Sequence, residues 1–246
     1  LRSGRFIATR WLGVGLATVL AVVTISLAVT GRLGLYINPD SSWFAVSMAV
    51  LVLVGAVASF ALPLGAEEDD GHDHDHDQSR HPVGFVATVA GGVVASGAVV
   101  LTLVLPPASL SAELAMARDV GAPPLFAGAD VVTLAATGDT SSFGVGEWAT
   151  VFATTTNPDA FDGDPITLTG FVTPGEGGDF DLTRLVITHC VIDAQPASIP
   201  VTGEPLPDTG QWVTVTGTVR ANPDGRLEID PDTVELIDEP QDPYEY

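Results

Sequence analysis

Three stretches of the chain, Trp11 to Gly31, Trp43 to Ala66 and Val83 to Leu110, contain no Asp, Glu, Lys or Arg. A helix rises about 1.5 Å per residue and the hydrocarbon core of a bilayer is about 30 Å thick, so about 20 apolar residues suffice to cross it. Each stretch meets that length. The pattern predicts a membrane domain over residues 1–105, with transmembrane helices at about 11–31, 43–65 and 83–105 and a polar loop at 66–82. A second reading makes the first stretch a cleaved signal peptide, with Arg2, Arg5 and Arg10 before it and a small-residue pattern at Ser26, Leu27 and Ala28. Its apolar run is longer than the usual 7 to 15 residues of a signal core, which favours the span. Cleavage would leave the orientation of the rest unchanged.

Pro106 and Pro107 stop the third span, and residues 106–129 read as a linker with one short helix. Residues 130–246 form an acidic soluble domain. Asp130 to Ala135 is a short apolar run of strand type. Gly146 to Thr155 has Trp148, Val151 and Phe152 at helical spacing and stops at Asn157-Pro158. From Pro165 the period becomes two: Ile166, Leu168, Gly170 and Val172 alternate with polar or outward positions, as do Val213, Val215, Gly217 and Val219 with Thr214, Thr216 and Thr218. With Phe180 to Cys190, Ser198 to Thr202 and Arg226 to Leu236, five strands are predicted. A small closed barrel of the OB type, preceded by a helix, removes their exposed edges. An open sandwich is the alternative.

Charge narrows the function classes. The net charge is −22; residues 65–82 hold seven acids against one Arg, and residues 106–246 hold 23 acids against four Arg. Such a domain repels phosphate backbones, which argues against nucleic-acid binding and for cations or cationic partners. Arg near the span ends counts four inside and two outside when the N-terminus is cytoplasmic, so three crossings put the C-terminal domain outside the cytoplasm. The spans hold no Asp, Glu, Lys, Arg or His. A transport path needs intramembrane polar groups, so this chain is not expected to form a pore by itself. Gly91, Gly92, Ser96 and Gly97 offer small residues suited to helix packing in lipid, and Gly is also simply common in membrane helices.

Two segments carry candidate metal chemistry. In the loop, His72, His74 and His76 alternate with Asp73, Asp75 and Asp77, bringing imidazoles and carboxylates within reach of one cation such as zinc. The loop contains Gly and lacks rigid flanks, so it reads either as a weak, exchangeable metal collector or as a solvated acidic connector. In RLVITHCVIDAQP, residues 184–196, His189, Cys190 and Asp193 supply nitrogen, sulfur and oxygen donors. Adjacent strand residues face opposite ways, so His189 and Cys190 can share a metal only if the chain bulges there. The competing structural reading has Cys190 buried as a small hydrophobe, Asp193 in an Asx turn and Arg184 paired with an acid. As the only cysteine, Cys190 can form no intrachain disulfide. No catalytic signature accompanies it, and neither a phosphate-binding Gly loop nor a His-Glu-x-x-His motif occurs, so no enzymatic activity is expected.

The order GFV at residues 170–172, then LTRLVITHCVIDAQP, then WVTVTGTV resembles the YcgQ-type bacterial family of permease subunits. The likeness extends to the layout of the whole chain. Family members carry two adjacent cysteines followed by an Asp-Ala pair, matched here by His189, Cys190, Asp193 and Ala194; His189 in place of the first cysteine puts a dithiol role in doubt. The resemblance implies a separate multi-span permease as partner and a link to zinc homeostasis. The expectation is therefore an accessory subunit of a membrane permease. A freestanding membrane-anchored metal-binding or metal-sensing protein and a metal-free envelope assembly module are the alternatives.

Overall fold

The computed structural model describes residues 2–61, isolated positions between 90 and 110, and residues 112–118, 138, 140–204 and 206–246. The His/Asp loop with His72, His74 and His76, most of the predicted third span and the predicted strand at 130–135 lie outside the described residues. Two compact units emerge: Leu1–Gly34 with Pro39–Pro107, and Leu35–Asn38 with Ala108–Tyr246.

In the first unit, helices α1 (Arg2–Val29) and α2 (Ser42–Ala61) pack against each other. Leu20, Val22, Trp43, Phe44, Leu51, Val54 and Val57 remain exposed around them. An apolar surface on every side, as on α2, is compatible with an apolar medium. The hydroxyls of the two helices do not spoil such a surface: Thr18, Thr24 and Ser47 donate to the carbonyls of Val14, Leu20 and Trp43 one turn earlier. Side chains so satisfied are compatible with hydrocarbon, where water offers no partner. Among the described residues, Pro39–Ser59 is the one helical stretch long and apolar enough to cross a membrane, and Gly13–Val29 is a shorter apolar helix. The first helix stops at Gly31, whose φ of 71° lets Gly31 N–H bond Ala28 O and Arg32 N–H bond Leu27 O. This left-handed turn suits glycine because it has no Cβ.

In the second unit, five strands form a mixed barrel: β1 (Pro165–Pro174), β2 (Phe180–Val186), β3 (Gln195–Val201), β4 (Trp212–Ala221) and β5 (Leu227–Leu236). The order β1-β4-β5-β3-β2 closes through a β1–β2 pairing, and every neighbour is antiparallel except β3 and β5. Period-two patterning explains the faces. Val213, Val215 and Val219 are fully buried, whereas outward Thr169 and Thr214 share a 2.9 Å hydrogen bond across β1 and β4. Gly217 lies at a register shift opposite Pro231. A short sixth strand, β6 (Tyr244–Glu245), adds parallel to β2.

Two further helices cover the barrel. Helix α4 (Val145–Thr154) buries Val145, Trp148 and Val151 against the core formed by the inward faces of all five strands. Helix α3 (Ala112–Arg118) lies within the stretch expected to be a linker, yet Ala112 and Ala115 join a smaller cluster with Phe171, Leu185 and Tyr244. Part of that linker is therefore a packed element. The strand expected to run from Phe180 to Cys190 ends at Val186 instead, because the carboxylate of Asp193 gathers the next residues into a turn.

Candidate functional site

That turn is built around one acceptor. Asp193 accepts hydrogen bonds from the backbone N–H groups of Thr188 (3.2 Å), His189 (2.9 Å) and Cys190 (3.2 Å), and its Oδ2 also lies 3.2 Å from His189 Nδ1. Desolvation alone would raise the Asp193 pKa, but hydrogen bonds from Cys190, His189 and Thr188 outweigh it and hold the carboxyl below its ordinary value. Asp193 thus organises the turn as a structural residue, but it accepts from amides three to five positions before it rather than two positions after it, so it does not form the expected Asx turn. The His189 side chain is 81 % exposed, with Nδ1 facing the carboxylate.

The other side of this segment is covered by residues from far upstream. Ile37 pairs with Cys190 as an antiparallel bridge, Val191 N–H donates to Tyr36 O, and Asn38 N–H donates to His189 O at 3.0 Å. The Asn38 side chain adds a bond to Thr188 O at 3.1 Å. Tyr36, Ile37 and Asn38 therefore cover the 188–191 segment through a single bridge and its flanking hydrogen bonds, and Cys190 is left partly buried.

As a zinc site the turn does not fit. Both Asp193 oxygens are committed to backbone donors, and among the described residues no three of His, Cys, Asp and Glu come together in a group able to hold a metal. His189 and Asp193 are brought together, but His189, Cys190 and Asp193 do not converge as ligands. Removing the acceptor tests the scaffold role. Asp193→Ala should cost about 1 kcal/mol, the usual loss when a capping carboxylate is deleted, measured by urea unfolding near neutral pH. Since the folded carboxyl titrates below its unfolded value of 3.8, its stabilisation is present above that pH and is lost as pH falls through the folded pKa. The gap between wild type and variant should close over the same acid range.

A second constellation escaped the sequence reading. Arg184 was expected to pair with an acid, but its guanidinium donates instead to main-chain carbonyls: Thr169 (3.0 Å), Asp242 (2.6 Å), Pro243 (3.2 Å) and Tyr244 (3.3 Å). It also lies 5.4 Å from the centre of the Trp212 ring, which in turn meets Phe171 edge-on. Next to it the Glu245 carboxylate accepts from Val145 N–H (2.8 Å) and Gly146 N–H (2.7 Å) at the start of α4. Burial pushes the Glu245 pKa up, against the pull of those two donors and of Arg184. The one signal in the sequence was a lone Arg amid apolar strand residues, which demands acceptors without saying which.

Comparison with known families places both halves. Residues 14–121 match the DUF1980 N-terminal domain and residues 139–246 match the DUF1980 C-terminal domain. No curated protein matches the chain.

Proposed function

Given that the chain belongs to the DUF1980 family, whose N- and C-terminal domains it carries, we propose that it is an accessory subunit of a multi-span membrane permease. The carrying observation is the chemistry of the helices. Exposed apolar side chains surround α2, and the sequence of the spans offers no ionisable group along which a solute could move. A transport path then has to come from a partner against which these helices pack. The C-terminal domain, in this reading an OB-type barrel, stands on the outer face and meets a cation, a small solute or the partner itself. The ring order and the parallel β3–β5 pairing support the OB assignment.

A multi-pass arrangement with the N-terminus inside rests on the apolar stretches at 11–31, 43–65 and 83–105 and on the Arg count near their ends. Zinc enters only by resemblance, and His72, His74 and His76 are the residues that would collect it.

Gentle detergent extraction of tagged protein from its native membrane tests the proposal. Stoichiometric recovery of a multi-span protein is the expected result, and repeated isolation of the chain alone would overturn it. Metal analysis of the same preparation separates the alternatives. Metal bound to an unaccompanied chain favours the freestanding metal-binding reading, whereas a metal-free chain with a soluble partner favours the assembly module.

A further inference from the structure

The barrel closes without β6. The ring runs through β1–β2, but β1 stays with β2 only from Phe180 to Thr183; beyond that point Leu185 and Val186 pair with Tyr244 and Glu245. Ile187 N–H extends the ladder to Glu245 O at 2.8 Å. The short strand therefore fills the gap where two barrel strands part. It arrives on residues 237–243, which contain Pro240 and Pro243 and form neither helix nor strand.

Its contacts are those of a bound peptide. Arg184 donates to three successive carbonyls, Asp242, Pro243 and Tyr244, a way of holding an extended backbone whatever its side chains. Two pockets then take the two successive side chains of β6. The Tyr244 ring is 2 % exposed, packed with Leu185, Ile187 and Ala194, and its hydroxyl accepts from Leu110 N–H at 2.8 Å. The Glu245 carboxylate sits on the first turn of α4, where Gly144 leaves room: a Cβ at that position would come within 2.6 Å of Glu245 Oε1. Main-chain bonds for affinity and side-chain pockets for specificity define recognition by strand addition.

We infer that Arg184, Trp212 and the first turn of α4 form an acceptor groove for an extended peptide segment carrying an aromatic–Glu pair, filled in cis by Asp242–Tyr246. The same segment from a second copy of the chain meets identical contacts, which makes it a competent occupant in trans. This inference stands apart from the permease reading, since it uses only contacts within the C-terminal domain.

The test uses the full chain in detergent with a protease site inserted between Ile237 and Pro240. After cutting, a fluorescent synthetic peptide Asp-Pro-Tyr-Glu-Tyr is added in excess. The labelled peptide should replace the cut segment saturably, and peptides carrying Tyr244→Ala or Glu245→Ala should bind at least about tenfold more weakly, since each loses a buried contact or a charge-assisted hydrogen bond. Because the protein is unaltered in those comparisons, loss of binding cannot come from misfolding. Retention of the cut segment with no uptake of peptide at millimolar concentration would overturn the inference, as would equal binding of the alanine peptides. Irreversible unfolding of the barrel on release of the segment would also overturn it, by making β6 an integral strand.

Discussion

Trp148→Ala should lower the stability of the C-terminal domain by about 3–5 kcal/mol, the range for deleting a large buried aromatic side chain. The indole is 1 % exposed and meets Phe143, Phe152 and Phe161 edge-on, with ring centres 5.9, 6.0 and 6.3 Å away. These contacts join three different pieces of chain: the approach to α4, α4 itself and the turn before β1. Truncation leaves a cavity that none of them can refill without giving up its own packing. Thermal unfolding of the detergent-solubilised chain, followed by near-ultraviolet circular dichroism, measures the effect. Trp148→Phe should recover a substantial part of the loss, because a smaller ring still fills part of the space. A midpoint unchanged in the alanine variant would mean that α4 does not anchor the barrel.

Gly217→Ala is the second large effect, and it arises from crowding. At this bulge a Cβ would land on the carbonyl oxygen of Asp230 and come within 2.8 Å of Pro231 Cα. Both neighbours are backbone, so no side chain can swing aside; β4 and β5 would have to separate. Overpacking of this kind costs about 1–3 kcal/mol and sometimes more. Urea unfolding should show the loss, and hydrogen exchange should show it concentrated in the amides of β4 and β5. A variant as stable as wild type would mean that the two strands can move apart at no cost.

The strands legible in the sequence were those with one buried face and local turns. The alternation of Val213, Val215 and Val219 with threonines located β4, and the same period located β1, because burial on one face imposes it directly. Helix α4 was legible from the spacing of Trp148, Val151 and Phe152, displaced by one residue at each end. β2 was read four residues too long. Its apolar letters continue to Cys190, but the chain direction there is set by hydrogen bonds to Asp193, which no periodicity encodes.

Long-range pieces were not legible at all. β6 is two residues long, and its partners lie about sixty positions earlier in the chain; Leu35–Asn38 meets Cys190 across still more sequence. Such pairings depend on the assembled barrel, so a local pattern carries no trace of them. For the turn, the sequence supplied two readings of the chemistry of His189, Cys190 and Asp193. The closeness of His189 and Asp193 was foreseeable from their spacing; that Asp193 spends both oxygens on the backbone was visible only in three dimensions.

The annexed residues at 35–38 also bear on how this domain can be produced in isolation. A fragment beginning at residue 108 would lack the segment that covers Thr188 to Val191, leaving an open row of amides and carbonyls beside a free thiol. Bare edges invite like to pair with like, so such a fragment would tend to self-associate. Grafting the tetrapeptide back through a flexible tether would seal that border.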